Sequence, residues 1–423
     1  MSVRKNDNIC IIGESGAGKT LFLEDKALAK LAMGEKVFVF DCHGKFLHLS
    51  KLLGRTAVEI NPNKPISVNP FPNVPTGSDH TSVSIRDDFL DSFLLTLYTM
   101  VSPDKELPQE HQYLLKKSLK EMWKTKQNKT TIDDIASFLQ KYDNKIANDL
   151  AQMLSDYIKG GKYGDFFCGE PSIDLNSNIV AIDIWHAKED DYRAVIAVVT
   201  QALLANIKII IAKSEFEKHT NNLLIFDEIS KCINNRYTLR FIKNFAGESG
   251  RYRTSTVLVA HTIFDFKDLG EEAKSIFKES EFKIIMGHHE RHLLRECVKI
   301  PDLAEYLALG CEHIKEKILS LKSGSGSKYS EFTVIGGRDF CNATYQHRLS
   351  PLTMLLVDSN SAERDMIFGC RSRGMSLLNA LRYTLEKLNK SAENNIEFIE
   401  SNNALHYLLS KFYQEQETTK EQK

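Results

Sequence analysis

The segment Gly13-Glu14-Ser15-Gly16-Ala17-Gly18-Lys19-Thr20, preceded by the apolar run Asn8-Ile9-Cys10-Ile11-Ile12, constrains this chain more than any other. Its pattern is G-x-x-x-x-G-K-T, a loop between a buried strand and a helix. Small residues let such a loop close tightly around a phosphate with its backbone N–H groups turned inward. In this pattern Lys19 reaches the β- and γ-phosphates and the Thr20 hydroxyl ligates Mg²⁺. The helix expected from Leu21 onward points its positive end at the same phosphates. A nucleotide site at Gly13, Glu14, Ser15, Gly16, Ala17, Gly18, Lys19 and Thr20, with ATP and Mg²⁺ as cofactors, is therefore the first expectation.

The next run, Lys36-Val37-Phe38-Val39-Phe40-Asp41, reads as a second buried strand. Strand, helix and strand in so short a span make a βαβ unit and imply a parallel sheet. Asp41-Cys42-His43-Gly44 then falls at the carboxyl edge of that sheet, where open α/β sheets bind ligands. Five of the ten prolines lie between Pro62 and Pro75, which predicts a long loop. From Ser82 to about Lys159 the spacing turns helical, with Phe89, Phe93, Leu94 and Leu97 on one face and Leu115, Leu119, Met122 and Trp123 on another. Thr131-Ile132-Asp133-Asp134 has the form of a helix start. The α/β pattern resumes with Ile179 to Ile184, a long apolar helix from Asp190 to Ala212, and Leu223 to Glu228. A helix from Arg236 to Ala246 and strands at Thr256 to Ala260 and Phe282 to Met286 follow. Phe332 to Ile335 and Leu352 to Val357 extend the series before helices through Leu388.

The fold class expected is α/β, a P-loop NTPase with a mostly parallel sheet and an inserted all-α subdomain. The division read from the pattern is 1–80 for the first part of the P-loop domain, 81–165 for the insertion, 166–400 for the second part and 401–423 for a helical or disordered tail.

Leu223-Leu224-Ile225-Phe226-Asp227-Glu228 supplies the second half of the site. An apolar strand ending in Asp-Glu is a Walker B pattern. Asp227 shares the Mg²⁺ shell with Thr20, and Glu228 stands ready to polarise an attacking water. The competing reading makes Glu228 a strand-end acid that caps the next helix. Basic residues follow at Arg236, Arg240, Lys243, Arg251 and Arg253, any of which could be a solvated helix-flanking cation.

Composition narrows the function classes. With 42% hydrophobic and 26% charged residues the chain reads as soluble and globular, so Ala194 to Ala212, which contains Thr200, Gln201, Asn206 and Lys208, is expected to be a buried helix and not a membrane span. The first apolar segment is the P-loop strand, so no secretory signal is read. A net charge of -1 lends nucleic acid no support as a partner, although a local basic patch inside a neutral total leaves room for one. The eight cysteines show no C-x-x-C spacing and read as reduced thiols. His288-His289-Glu290-Arg291-His292 departs from the zinc-protease order H-E-x-x-H, so no metal is expected there.

The order of these motifs resembles the motor domain of the TraC family, the large ATPase (the fourth VirB component) of conjugation and type IV secretion. The matching features are Gly13 to Thr20, Phe40-Asp41 with Gly44, Ser67-Val68-Asn69-Pro70-Phe71, the helical insertion, the Walker B strand and Gly250-Arg251. They extend over roughly residues 8 to 390. The resemblance implies a RecA-like fold and ATP hydrolysis that powers pilus assembly or the translocation of DNA or protein, in a homo-oligomer that is a hexamer or a dimer. It also implies a cytoplasmic place at the inner membrane, with other type IV secretion ATPases and inner-membrane components as partners. It points to Glu228, Lys19 and Arg251 as catalytic, Arg251 being the arginine finger, and to His261 as phosphate sensor in place of the family's glutamine. The family's Gly-Arg-Lys-Tyr is here Gly250-Arg251-Tyr252-Arg253, which leaves the choice between Arg251 and Arg253 open. The family's large N-terminal half has no counterpart, since the first strand begins at Asn8. Two alternatives stand beside this reading: a DNA-pumping ATPase of the HerA and FtsK kind, and a nucleotide-binding scaffold without significant hydrolysis.

Overall fold

Short runs of almost entirely apolar residues can be buried on both faces, and here they form the middle of one sheet, nine-stranded among the described residues. The computed structural model describes residues 7–189, 192–218, 221–233, 235–287, 317–318, 320–321, 329–336, 343–357 and 361–391. The strands are β1 (Ile9–Ile12), β2 (Lys36–Asp41), β3 (Thr56–Glu59), β4 (Ile179–Asp183), β5 (Asn222–Phe226), β6 (Thr254–Ala260), β7 (Phe282–Met286), β8 (Ser330–Gly336) and β9 (Ala343–His347). Their order across the sheet is β3-β4-β2-β5-β6-β1-β7-β8-β9. Every pairing from β3 to β7 is parallel, while β8 and β9 join antiparallel. The sheet is thus mostly parallel, as the βαβ pattern predicts.

Alternate residues of the central strands enter two separate cores. Cys10, Ile12, Phe38, Phe40, Leu224 and Phe226 face one. Ile11, Val37, Val39, Leu223 and Ile225 face the other. The second core is closed by α1 (Lys19–Ala32), α2 (Lys45–Leu52) and three late helices, α12 (Pro351–Val357), α13 (Ser361–Ser372) and α14 (Leu377–Ser391). Leu352 to Val357 is therefore helical and not a further strand. Ser350 Oγ accepts the Thr353 backbone N–H at 3.1 Å, and Pro351 opens the helix, a combination that starts a helix where apolarity alone is ambiguous.

The first core is closed by α7 (Arg193–Lys218), α9 (Arg236–Gly247), α10 (Ile263–Asp268) and α11 (Glu271–Glu279), and it continues into α3 (His80–Val101), α4 (Gln109–Lys126), α5 (Ile132–Gln140) and α6 (Lys145–Met153). Local signals explain these starts. Asp79 accepts the Ser82 N–H at the head of α3, and Thr131 and Asp134 form a reciprocal capping box at α5. The Asn-Pro-Phe stretch joins the loop to this layer. Asn69 Oδ1 accepts the Phe71 N–H at 3.3 Å, and the buried Phe71 ring meets Phe93 and Phe89 of α3 at 4.8 and 5.6 Å.

Helix α7 has the length and apolarity of a membrane span, but 89% of its most apolar window is buried inside the fold. Three of its buried polar residues are partnered within the fold. Asn206 donates to Val68 O at 2.9 Å, and Lys208 pairs with Glu248 at 2.8 Å. Gln201 Nε2 donates to Thr99 Oγ1 of α3 at 2.9 Å and to Thr238 Oγ1 of α9 at 2.7 Å. Gln201→Leu keeps most of the volume but strips both hydroxyls of a partner. It is expected to lower stability by about 1–3 kcal/mol, read as a shifted urea midpoint, because Thr238 Oγ1 loses its partner while Thr99 Oγ1 keeps its bond to Leu95 O. An unchanged midpoint would mean that the threonines find other partners.

Cys10, Cys168 and Cys370 are free thiols, whereas Cys42, directly after β2, is disulfide-bonded, which corrects the reading of uniformly reduced cysteines. The His288 to His292 stretch and the tail from 401 onward lie outside the described residues.

Candidate nucleotide-binding site

Parallel register brings the ends of β1, β6, β5 and β2 to one edge. Ile12 pairs with Ala260 and Phe40 with Phe226, so Gly13, His261, Asp227 and Asp41 emerge side by side. The P-loop leaves β1 through a bond from Gly13 N–H to Ala260 O at 3.3 Å. A Cβ at Gly13 would lie 2.9 Å from the Met286 Cβ, so only glycine fits against β7 there. Gly18 sits at φ 88°, ψ 15°, the left-handed conformation that turns the loop into α1, and no side chain caps that helix. Its first N–H groups are the anion-binding end of a helix dipole.

Lys19 begins α1 and is buried. Its Nζ donates to Gly13 O and, at 3.1 Å, to Glu14 O, and lies 3.3 Å from His261 Nδ1. Burial pulls its pKa down, against the opposing pull of Asp227, Glu228 and Asp265. Thr20 Oγ1 donates to Asp227 Oδ2 at 3.5 Å, so the hydroxyl and carboxylate that the sequence assigns to Mg²⁺ stand together. Burial, with Asp41 and Glu228 nearby, pushes the Asp227 carboxyl up to about 6. A hydroxyl beside a buried carboxylate among further acids is a hard-oxygen set that fits Mg²⁺, whose charge would offset that crowding. Thr20 and Asp227 are the residues that would hold the ion.

Glu228 occupies a left-handed backbone conformation, φ 54° and ψ 64°, between β5 and the short helix α8 (Ile229–Cys232). Such a conformation costs a non-glycine residue on the order of 1–2 kcal/mol. It stands at the N-cap position, yet its side chain makes no capping hydrogen bond, contrary to the helix-cap reading. Three basic groups converge on the carboxylate instead. His261 Nε2 lies 2.8 Å from Oε1, while His43 Nε2 at 2.7 Å and Lys231 Nζ at 2.6 Å approach Oε2. Burial raises the pKa of Glu228, but the His261 hydrogen bond and the Lys231 and His43 contacts outweigh it and hold the group well below the usual carboxylate range.

His261 bridges the two halves of the site. Its backbone N–H donates to Asp265 Oδ2 at 2.7 Å, which fixes the turn into α10. A neutral ring with its proton on Nε2 satisfies both neighbours, donating to Glu228 and offering the Nδ1 lone pair to Lys19.

The structure brings together Gly13 to Thr20, Asp227, Glu228 and His261, but not Arg251. That residue lies in the turn before β6, at the sheet's opposite edge, and seven strand residues at about 3.3 Å each separate it from His261. Its guanidinium donates to Ser84 Oγ at 2.6 Å, pairs with Asp88 at 3.1 Å and stacks over Tyr252. Arg253 shares the turn at φ 44°. Arg236 and Arg240 both pair with Glu106. Sequence reasoning put His43 at the ligand-binding edge without giving it a role, and it did not single out Lys231. The signal for His43 was its place two residues beyond β2 on the ligand-binding edge, and for Lys231 its i+3 spacing from Glu228.

Comparison with known proteins agrees with this architecture. The family profile described as the TraG P-loop domain matches residues 1–388. Protein TraC of Escherichia coli (strain K12) is 23% identical over 394 residues, which covers 89% of this chain and 42% of TraC. The chain therefore spans under half the length of that relative. Among solved structures, VirB4 of Thermoanaerobacter pseudethanolicus superposes with a TM-score of 0.60 at 14% identity, covering 84% of this chain and 92% of that one. The plasmid coupling protein TrwB, bound to the non-hydrolysable ATP analogue ADPNP, follows at a TM-score of 0.50 and 14% identity, covering 81% and 85%. These likenesses establish the P-loop NTPase fold.

Proposed function

The chain belongs to the TraG P-loop domain family, and on that footing we propose that it is an Mg²⁺-dependent ATPase motor of the kind that drives conjugation and type IV secretion. One observation carries the reading: the Thr20–Asp227 pair stands beside the P-loop lysine, with Glu228 next in the chain. In this account the P-loop N–H groups and Lys19 hold the β- and γ-phosphates. Thr20 and Asp227 hold Mg²⁺, which neutralises phosphate charge when bound. Glu228 orients the attacking water and takes its proton. His261, between Lys19 and Glu228, is placed to register the γ-phosphate.

Arg251 completes the site of a neighbouring copy, because its own P-loop lies at the far edge of the sheet. That requires a head-to-tail homo-oligomer, a hexameric ring in the proposed form. The work is pilus assembly or substrate transfer at the cytoplasmic face of the inner membrane, alongside other ATPases and membrane components of the same machine.

Phosphate release from ATP, with and without Mg²⁺, tests the reading. Turnover that requires Mg²⁺ supports it. ATP binding with no release under either condition would make the chain a nucleotide-binding scaffold.

A further inference from the structure

Glu228 needs external restraint. Its backbone is in a strained left-handed turn, and its carboxylate ends in a cluster contributed by three different elements. Lys231 is its own helix neighbour, half-exposed, on a flexible stem that holds a point charge in no fixed direction. His261 engages Oε1 but also faces Lys19. His43 comes from a separate strand end, and its position is built. Asp41 Oδ1 accepts the His43 backbone N–H at 2.7 Å, and Asp41 Oδ2 accepts the Phe46 N–H at 3.0 Å. Gly44, at φ 68°, turns the chain directly into α2. The indole of Trp185, just beyond β4, stands edge-on to the imidazole, with ring centres 6.3 Å apart and planes at 68°. The Nε2 atom is thereby presented to Glu228 Oε2 at 2.7 Å.

We propose that His43 is a positioning residue for the hydrolytic step: it fixes the orientation of the Glu228 carboxylate. The proposal rests on the reading of Glu228 as the group that takes the proton from water. Without His43, Oε2 keeps only the Lys231 ammonium, a point charge that fixes no direction. Misplacement of a reacting group by about 1 Å can cost about 10²-fold in rate. The effect is expected in the chemical step, because the side-chain contact of His43 in this site is with the Glu228 carboxylate.

The test uses the full chain with three substitutions at one position. His43→Leu removes the donor. His43→Asn keeps polarity, but its amide is too short to reach Oε2. His43→Gln places an amide N–H close to the former Nε2. ATP turnover is expected to fall about 10- to 100-fold in kcat for the Leu and Asn variants, with KM for ATP within about threefold of the parent. His43→Gln is expected to recover most of the loss. Should His43→Leu fail to fold, the Asn and Gln pair carries the comparison. Parent-like kcat in His43→Asn, a raised KM with kcat unchanged, or a Gln variant no better than Asn would each overturn the proposal. Glu228→Gln measured alongside separates the two claims. Full turnover in Glu228→Gln would remove the role of Glu228 itself, whereas an inactive Glu228→Gln beside a fully active His43→Asn would sink only the role of His43.

Discussion

Arg251→Ala is expected to abolish ATP turnover while leaving ATP affinity close to that of the parent. The guanidinium sits at the amino-terminal edge of β6, and the P-loop sits at the carboxyl edge of the neighbouring β1. It can reach phosphates only across an interface between copies. An arginine suits the task because its charge is permanent and its several donors match a phosphoryl group whose charge spreads in the transition state. A finger supplied in trans is worth about 10³ to 10⁵ in rate. In this structure Arg251 spends its donors on Ser84 and Asp88 of α3, so the proposed engagement with a neighbour would exchange those contacts for phosphate oxygens. Mixing Arg251→Ala with Lys19→Ala is expected to restore part of the activity, because one protein supplies an intact P-loop and the other an intact finger. Co-assembled mixtures that stay inactive at every ratio would exclude a trans-acting Arg251.

Glu228→Gln is expected to bind ATP and to turn it over about 10²- to 10⁴-fold more slowly, since an amide cannot take a proton from water. The substitution also weakens the cluster, because the neutral amide gives Lys231 no charge to pair with. ATP binding is retained, because the groups assigned to the phosphates lie in the P-loop. Parent-like turnover in this variant would move the base to another residue.

The core of this account was legible in the sequence because its signals are local. A P-loop is contiguous, and a Walker B strand is an apolar run with an acidic end, so Gly13 to Thr20 and Asp227-Glu228 could be read without knowing their contacts. The parallel sheet followed from the spacing of apolar runs. Edge strands were not legible. In β3 and β9 no residue is fully buried, so neither Thr56–Glu59 nor Ala343–His347 shows a strong apolar pattern. Leu352 to Val357 was ambiguous for the opposite reason: an apolar run fits a buried strand or a buried helix, and the Ser350-Pro351 start decides between them. The surroundings of Glu228 were beyond a linear reading. His43, Lys231 and His261 meet there only because β2, β5 and β6 end at one edge. The tether between Arg251 and Asp88 likewise joins segments far apart in the chain.

ATP hydrolysis by the parent chain and by Lys19→Ala, measured side by side with Mg²⁺ present, tests the central claim most directly. Lys19 is the buried lysine of the P-loop, and its removal deletes the charge proposed to meet the β- and γ-phosphates. The account predicts steady phosphate release by the parent, and none above background by Lys19→Ala together with weakened ATP binding. Equal hydrolysis by the two proteins would contradict it.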